Sequence, residues 1–433
     1  MARKLSARDS GFEEAFAALI LKSRDEKSDV DGVVSDILGD VRVRGDAAVF
    51  EYTKKFDGLD IDASSVAFGK DELKAAEAQC DVGALKAMRE ASSRIRDYHQ
   101  RQMPKNEEYD DGRGIRLGWK WTAVSSAGLY VPGGTAPLFS SVLMNAIPAK
   151  VAGVDRLVVT MPTPRGETSP LMLAACSLAG VDEVYRIGGA QAIGALAYGT
   201  ATIKPVDKIV GPGNAYVASA KKQVFGVVGI DMVAGPSEVT IVADANNDPD
   251  WIAADLLAQA EHDASSQSVL ITDDEKFVDR VTAAVEAQLK TLPRRDIASK
   301  SWADNGMIVV VEKIGDAVPI VDKIAPEHLE LAIEDPATMA RQIRHAGAIF
   351  LGRHSPEALG DYIAGPSHVL PTSGSARFSS GLGVFDFLKR TSLIGCGPEG
   401  LNDIGPGAVA MARAESLDAH ARSVSLRLKN GKS

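Results

Sequence analysis

Apolar positions change their spacing along the first third of the chain, and the change predicts two kinds of segment. Residues 10 to 104 carry apolar side chains at helical period, as in DELKAAEAQCDVGALKAMREASSRIRDYH, with few β-branched clusters. Residues 114 to 131 have the aromatic and β-branched character of a strand, and they lead into Pro132, Gly133 and Gly134, which interrupt the pattern. A helical entry segment is therefore predicted, with a new unit beginning near Pro132.

Short apolar strands alternate with helical stretches between residues 155 and 242. The strands are DRLVVTM, DEVYRIGG, DKIVGPG and SEVTIVAD, and the helices between them are SPLMLAACSLAG, AQAIGALAYG and NAYVASAKKQVFG. Such alternation calls for a parallel sheet with helices on its faces. The second half repeats the theme more loosely, with SVLIT, GMIVVV and AGAIFLG as strands, which predicts a second sheet of the same kind.

The predicted fold class is α/β, with two Rossmann-like parallel-sheet domains, a helical N-terminal segment and a helical C-terminal arm. The closing stretch PGAVAMARAESLDAHARSVSLRLKN is amphipathic, and its apolar side is expected to dock elsewhere or on a partner subunit. The predicted boundaries are 1–127 for the helical segment, whose strands join the second lobe, 128–236 and 237–380 for the two Rossmann-like domains, and 381–433 for the arm that contacts the partner.

Composition and charge exclude several classes of protein. Lys and Arg total 48 against 58 Asp and Glu, a formal net charge of −10, and no basic run is present, so no nucleic-acid partner is expected. Cys80, Cys176 and Cys396 are widely spaced and odd in number, which argues against a disulfide framework and a cysteine-based zinc site. No stretch approaches the roughly 20 apolar residues of a membrane span, and no secretory leader is apparent. We therefore expect a cytoplasmic protein with no membrane role.

Glycine-rich loops follow three predicted strands and precede three predicted helices. They are VPGGTAP at 131–137, RIGGAQAIG at 186–194 and VGPGNAYV at 210–217. No G-x-G-x-x-G opens a helix after the first strand, so the usual dinucleotide fingerprint is missing. A tight left-handed turn explains any one loop, but three together favour an anion site built from backbone amides and helix N-termini. Tyr130, Gln191 and Asn214 could bond to ribose or phosphate, or cap a helix.

Candidate metal ligands occur in two helical segments. In NNDPDWIAADLLAQAEHDASS, Asp248 and Pro249 fit the N-cap and first helical positions. Gln259 and His262 then lie three apart, which places both side chains on one helix face, near enough for one metal ion. A histidine between acidic residues is more often simply solvated, and glutamine is a rare zinc ligand. Asp361 could be an oxygen ligand or only a helix-end carboxylate.

Two adjacent titratable residues lie in the segment IAPEHLELA. Pro326 can start a helix, and Glu327 would then favour the positive end of its dipole, which is a sufficient structural explanation for the acid. Two neighbouring titratable groups could instead act in separate proton transfers, with His328 suited to work near neutral pH. Structure and function explain this pair equally well.

The C-terminal segment AESLDAHARS adds Glu415 and His420, five positions apart. On one continuous helix the two side chains would be about 140° apart. A break near Ser416, with Ser416 as the N-cap of a new helix, is therefore needed if both residues serve one pocket.

Taken together, these segments resemble the histidinol dehydrogenase family from about residue 115 to 428. Six blocks carry the resemblance: PGGTAPLFSSVLMNAIPAKVAGV, RIGGAQAIGALAYGT, VDKIVGPGNAYVASAKKQVFGVVGIDMVAGPSE, DLLAQAEHD, APEHLEL and GDYIAGPSHVLPTSGSARFSSGL. A chance match of this length and order is not credible. The N-terminal hundred residues carry much weaker signals.

The resemblance implies an NAD- and zinc-dependent oxidation of L-histidinol to L-histidine through the aldehyde, with one zinc ion per subunit. It places zinc on Gln259, His262, Asp361 and His420, the acid/base pair on Glu327 and His328, and NAD on Tyr130, Gln191 and Asn214. It places the substrate on Ser237, Gln259, His262, His328, Asp361, Glu415 and His420. It also implies a homodimer in which the C-terminal arm completes the partner's site. A paralogue acting on another small alcohol, such as a sulfonated diol, is the alternative within this class.

The chain departs from the family pattern at a few positions. Gly194 stands where alanine is more usual, Pro366 and Ser367 where Thr-Asn is more usual, and Ser416 where glycine is more usual. None of these departures removes an implied ligand. Because of these departures, the resemblance does not specify the shape of the pocket near Glu415.

Overall fold

The computed structural model describes residues 2–24, 30–132, 138–233 and 235–430. Its strands are β1 (Arg3–Ser6), β2 (Glu107–Asp110), β3 (Ile115–Ala123), β4 (Ser126–Tyr130), β5 (Arg156–Thr160), β6 (Glu183–Tyr185), β7 (Lys208–Val210), β8 (Gly229–Ile230), β9 (Glu238–Ala243), β10 (Gln267–Thr272), β11 (Met307–Val310), β12 (His328–Ala332), β13 (Ala348–Leu351) and β14 (Leu388–Cys396). Its helices are α1 (Phe12–Arg24), α2 (Asp31–Arg44), α3 (Asp46–Asp57), α4 (Lys70–Glu77), α5 (Val82–Gln100), α6 (Phe139–Ala152), α7 (Pro170–Ala179), α8 (Gly189–Tyr198), α9 (Ala215–Val224), α10 (Pro249–Ala260), α11 (Glu275–Leu289), α12 (Arg295–Asn305), α13 (Ala317–Ile324), α14 (Pro336–Ala340), α15 (Glu357–Tyr362), α16 (Pro398–Ala414) and α17 (Asp418–Asn430).

The chain divides into two compact units. The larger comprises residues 1–101 and 125–387, and the smaller comprises 102–124 and 388–433. Both parallel sheets and the helices α1 to α5 belong to the larger unit. The α/β class, the two parallel sheets, the helical N-terminal segment and the helical C-terminal segment are confirmed. The domain boundaries at 127, 236 and 380 stay a prediction.

The first sheet of the larger unit has five strands in the order β6-β5-β4-β7-β8, and its recorded pairs are parallel. The helix α8 is buried from Ala190 to Ala197, as expected of a helix that is apolar on all sides. The N-terminal helix α2 packs against α8 and α9, and Val34, Ile37, Leu38 and Val41 join the same core. The predicted entry segment thus packs against the helices that flank this sheet, with α4 contacting α7 and α5 contacting α6.

The second sheet has six parallel strands in the order β1-β11-β10-β9-β12-β13. All residues of β9 and β10 are buried, and the sheet has an apolar core on each face. Strands buried on both faces read as continuous apolar runs, which is why SEVTIVAD and SVLIT were recognisable in the sequence. The strand that the N-terminal segment adds to this sheet is β1, whereas β3 pairs elsewhere.

The predicted helix start at Pro326 is wrong. The helix α13 ends earlier, at Ile324, and Ala325 has a left-handed backbone with φ of 51°. The residues that follow form β12, which pairs with β9 and β13 and is buried along its whole length. Proline lacks an N–H, so it is tolerated just before a strand. Long-range pairing, invisible in the local sequence, outweighed the N-terminal helix signal.

The smaller unit combines a three-stranded antiparallel sheet, in the order β14-β3-β2, with α16 and α17. The predicted break near Ser416 is confirmed, but its predicted N-cap role is wrong. Ser416 has φ of +60°, and its N–H donates to the carbonyl of Arg413 at 2.9 Å, which closes α16. The carbonyl of Leu417 accepts the N–H of His420 and begins α17. Ser416 therefore occupies a left-handed position that favours glycine.

No helix in the described part of the chain is long and apolar enough to cross a membrane.

Candidate active site

A cavity of about 410 Å³ lies in the larger unit, where the edges of the two parallel sheets meet. The five-stranded sheet contributes residues that follow the carboxyl ends of its strands: Pro132 after β4, Gly211 to Gly213 after β7, and Asp231 after β8. The six-stranded sheet contributes residues at the amino ends of its strands: Ser237 before β9, and Glu327 and His328 at the start of β12. His262, Asp361 and His368 complete this side of the cavity.

Glu327 lies at the start of β12 with only 5% of its surface exposed. Its Oε2 accepts the N–H of Glu238 at 2.9 Å. Burial raises the pKa of Glu327 well above its usual value, because desolvation outweighs that hydrogen bond and Glu238 and Asp361 add negative charge nearby. The site therefore holds a carboxyl group that binds a proton more tightly than an exposed glutamate does.

His328 has a defined tautomer. Its Nδ1 is 3.1 Å from the carbonyl of Glu238, and because a carbonyl can only accept, Nδ1 carries the proton. Its Nε2 is buried without a hydrogen-bond partner among the described residues and is 3.8 Å from Oδ1 of Asp361. Burial lowers the pKa of His328 to about 4. At neutral pH the residue is thus a neutral imidazole whose Nε2 has a free lone pair.

Gln259 and His262 lie side by side, as predicted. Asp248 caps α10 by accepting the N–H of Asp250, and Gln259 is in the last turn of that helix. The side-chain nitrogen of Gln259 is 3.2 Å from Nδ1 of His262, which lies just beyond the helix end. The Oε1 of Gln259 is fully buried, and the part of the chain described offers it no hydrogen-bond partner. An unsatisfied amide oxygen beside an imidazole suits a cation better than an apolar core.

Asp361 and Glu357 occupy the same face of α15, four residues apart. One ligand-type atom from each of His328, Glu357 and Asp361 lies within 4.8 Å of the others. Glu357 is 2% exposed, and its Oε1 is 3.6 Å from Nδ1 of His328. Glu357 was not predicted as a site residue, although its i, i+4 spacing from Asp361 was the available signal.

Two more acids, the buried Glu330 and the partly buried Asp255, lie behind this group and were not predicted either. Oε1 of Glu330 accepts the N–H of Glu357 at 2.6 Å. Burial raises the pKa of Asp255 to about 6, and it raises the pKa values of Glu330 and Glu357 well above their usual range. Glu330 lies inside β12 and Asp255 in α10, and no local pattern marked either residue.

The predicted cofactor contacts lie at the carboxyl edge of the five-stranded sheet. Tyr130 ends β4, and its hydroxyl accepts the N–H of Gly189 at 3.2 Å, while burial raises its pKa to about 12. Oε1 of Gln191 is buried with no partner within the described ranges. Oδ1 of Asn214 accepts the N–H of Tyr216 and of Val217, so Asn214 is the N-cap of α9. Residues 133–137 of the first glycine-rich loop lie outside the described residues.

Glu415 and His420 belong to the smaller unit. Glu415 follows the end of α16, and His420 lies in the first turn of α17. Both residues are exposed. Their assignment to the substrate and to zinc stays a prediction, as do the roles of the other site residues.

Three comparisons with known proteins agree. Residues 21–428 match the family model described as histidinol dehydrogenase. Histidinol dehydrogenase from Rhodospirillum rubrum is 61% identical over 432 residues and that from Rhizobium meliloti 57% identical over 431, each alignment covering 99% or more of both chains. The crystal structure of histidinol dehydrogenase from Elizabethkingia anophelis is similar, with a TM-score of 0.94, 38% identity, and coverage of 100% of this chain and 99% of that one.

Proposed function

The chain belongs to the histidinol dehydrogenase family, and from that membership we propose that it oxidises L-histidinol to L-histidine through L-histidinaldehyde, with NAD as the hydride acceptor. The observation that carries the proposal is the pair at the start of β12. There a buried imidazole with a free Nε2 adjoins a carboxyl group of raised pKa, inside a cavity shared by two parallel sheets. The protein's contribution is to position reactants and move protons.

His328 is the general base for the alcohol step. Its Nε2 accepts the hydroxyl proton while the carbinol carbon gives its hydride to the nicotinamide, so one proton and one hydride leave for each alcohol oxidised. The low pKa keeps this nitrogen free to accept at neutral pH. The bond from Nδ1 to the Glu238 carbonyl holds the ring in that tautomer.

Glu327 acts in the second step. Its carboxylate takes a proton from the water that adds to the aldehyde, and the resulting hydrate anion gives the second hydride to a second NAD, which leaves the carboxylic acid. A carboxylate in a desolvated position is a stronger base than an exposed one, which suits proton removal from water. Two adjacent residues thus serve two chemically different proton transfers.

Gln259, His262 and Asp361 would hold one zinc ion, with His420 as the fourth ligand. The support is the unsatisfied Oε1 of Gln259, its imidazole neighbour, and a carboxylate at the same cavity. Bound zinc would supply a template that orients the imidazole and amino nitrogens of the substrate. We place this reaction in the cytoplasm and in a homodimer whose C-terminal arms, with Glu415 and His420, complete the partner's site.

The dinucleotide would bind at the edge of the five-stranded sheet. Tyr130, Gln191 and Asn214 stand at the starts of α8 and α9 or beside them, where backbone amides and the helix dipole favour an anion. Ser237 and the zinc ligands hold the substrate on the opposite wall.

The yield of NADH per histidinol consumed tests the proposal directly. A four-electron oxidation gives two NADH for each histidine formed, and chelation of the metal abolishes the yield. A yield of one, or turnover that survives removal of the metal, contradicts the scheme. Turnover of a sulfonated diol with none of histidinol assigns the chain to a different alcohol.

A further inference from the structure

A buried ion pair lies on the five-stranded-sheet side of the cavity. Lys221, in α9, is 2% exposed, and the side chain of Asp231, just after β8, is fully buried. The Nζ of Lys221 contacts Oδ1 of Asp231 directly. Both residues line the cavity that holds Glu327 and His328.

The two charges hold the same residue of the glycine-rich loop. Nζ of Lys221 donates to the carbonyl of Gly211 at 2.8 Å, and the N–H of Gly211 donates to Oδ2 of Asp231 at 2.8 Å. Gly211 has φ of +113°, and a Cβ at this position would lie 2.1 Å from the carbonyl oxygen of Tyr130. Asp231 thus holds the N–H of Gly211 and Lys221 holds its carbonyl. The carbonyl of Tyr130 leaves no room for a side chain at this position.

Stability alone is a poor reason for burying this pair. Removing two charges from water is costly, and well-packed apolar residues often replace such a pair without loss of stability. A glycine-rich loop, by contrast, has many accessible backbone conformations. Pro212 has no N–H, so the next backbone donors are those of Gly213 and Asn214, at the start of α9.

We propose that Lys221 and Asp231 are positioning residues for the dinucleotide, which lock the Gly211 peptide so that the amides at the start of α9 are aligned before the cofactor binds. This inference rests on the proposed function, because it takes the ligand of the loop to be NAD. Preorganisation of this kind strengthens binding by removing the cost of ordering the loop.

Two variants test the proposal. One removes both charges of the pair, and the other keeps the positive charge but changes the side chain that carries it. Lys221→Met combined with Asp231→Leu removes both charges and leaves neither unpaired. Lys221→Arg keeps the charge but changes its geometry. Lys150→Met is the matched control, because Lys150 pairs with Asp182 at 2.9 Å near the same sheet but does not line the cavity.

The double variant is expected to bind NADH about tenfold more weakly in a fluorescence titration, as for a loop that adopts the binding conformation about a tenth of the time. The KM for NAD rises in proportion, whereas kcat at saturating NAD, the KM for histidinol and the zinc content stay near wild type. Lys150→Met leaves NADH binding unchanged. Should the double variant not fold, Lys221→Arg carries the test with a smaller rise in the KM for NAD and the same kcat.

Unchanged NADH affinity in a folded double variant overturns the proposal. A parallel loss of kcat, histidinol affinity and thermal stability also overturns it, since that is the signature of general misfolding. The direct NADH titration separates this inference from the proposed reaction. If wild type binds NADH but does not oxidise histidinol, the reaction fails and the positioning role stands, whereas a wild type that binds no NADH overturns both.

Discussion

The two sheets face the cavity with opposite ends of their strands. The five-stranded sheet presents carboxyl ends, and its loops run into the N-termini of α8 and α9. The six-stranded sheet presents amino ends, and α10 reaches the cavity with its C-terminus, where Gln259 and His262 lie. A helix N-terminus carries partial positive charge and a C-terminus partial negative charge, so one edge favours an anion and the other a cation.

The two edges also differ in what they are made of. The anion-favouring edge is shaped by backbone, with Gly211 held by a paired lysine and aspartate whose charges cancel. The cation-favouring edge is built from side chains, and burial, with negative charges nearby, raises the pKa values of its acids Glu327, Glu330 and Glu357. A dinucleotide needs a fixed surface, whereas proton transfer needs groups that can change charge.

The largest effect is expected from removing one nitrogen ligand at the cation-favouring edge. His262→Asn should abolish stoichiometric zinc and histidinol oxidation. NADH binding should persist, because the predicted cofactor contacts Tyr130, Gln191 and Asn214 lie at the other edge. Elemental analysis and NADH titration measure the two quantities. His354→Asn, an exposed histidine, is the control that keeps its zinc. A His262 variant that retains one zinc per subunit ends the ligand assignment.

The next effect separates two steps at the same edge. Glu327→Gln should slow oxidation of the aldehyde by about 10²- to 10⁴-fold and affect alcohol oxidation far less, because only the second step needs a base for water. Rates measured with histidinol and with histidinaldehyde give the comparison. Glu334→Gln, which changes an acid with 86% of its side chain exposed, serves as the control. Equal losses in both half-reactions count against the assignment.

Backbone changes test the anion-favouring edge. Gly211→Ala should weaken NAD binding and lower stability, because it combines a positive φ with a Cβ only 2.1 Å from a carbonyl oxygen. Gly226→Ala, at φ of +103° with no neighbour within 4 Å, isolates the backbone strain, which costs about 1 to 3 kcal/mol. Denaturant unfolding and NADH titration compare them. If Gly226→Ala costs as much as Gly211→Ala in both measurements, the close approach to Tyr130 has no role.

The smallest expected effect is that Glu330 and Glu183 change the stability of the fold with pH in opposite directions. Burial raises the pKa of Glu330 in the folded state, so its contribution to stability is present below the unfolded pKa and is lost as pH rises through the folded one. Arg156 lowers the pKa of Glu183 in the five-stranded sheet, so that contribution is present above the unfolded pKa and is lost as pH falls through the folded one.

Two glutamine substitutions measure this difference in sign. Glu330→Gln should gain stability relative to wild type as pH rises, because the neutral amide never has to carry a buried charge. Glu183→Gln should lose stability at neutral pH, and the loss should disappear in acid. Urea unfolding midpoints over roughly pH 3 to pH 9 give both curves. Parallel curves for the two variants contradict the contrast between the sheets.

Much of the fold and part of the candidate site could be predicted from local sequence pattern. The buried strands of both sheets, the N-cap at Asp248 and the closeness of Gln259 to His262 all follow from spacing along a few turns or residues. The prediction of a helix start at Pro326 was wrong because it also relied on local pattern. Proline followed by glutamate indicates a helix only where no sheet offers these residues a better set of hydrogen bonds. Ser416 was recognised as a break, but its left-handed backbone was not foreseen.

By itself the sequence determined the type of most elements and the kinds of chemistry available, because periodicity and side-chain identity are local properties. Only the tertiary structure shows which ends of the two sheets meet and that Glu357 and Glu330 lie behind His328. The same holds for Lys221 and Asp231, which both hydrogen-bond to the backbone of Gly211. Those relations join residues through packing and desolvation across the fold, and burial, which sets the charge of each acid, exists only once the chain is folded.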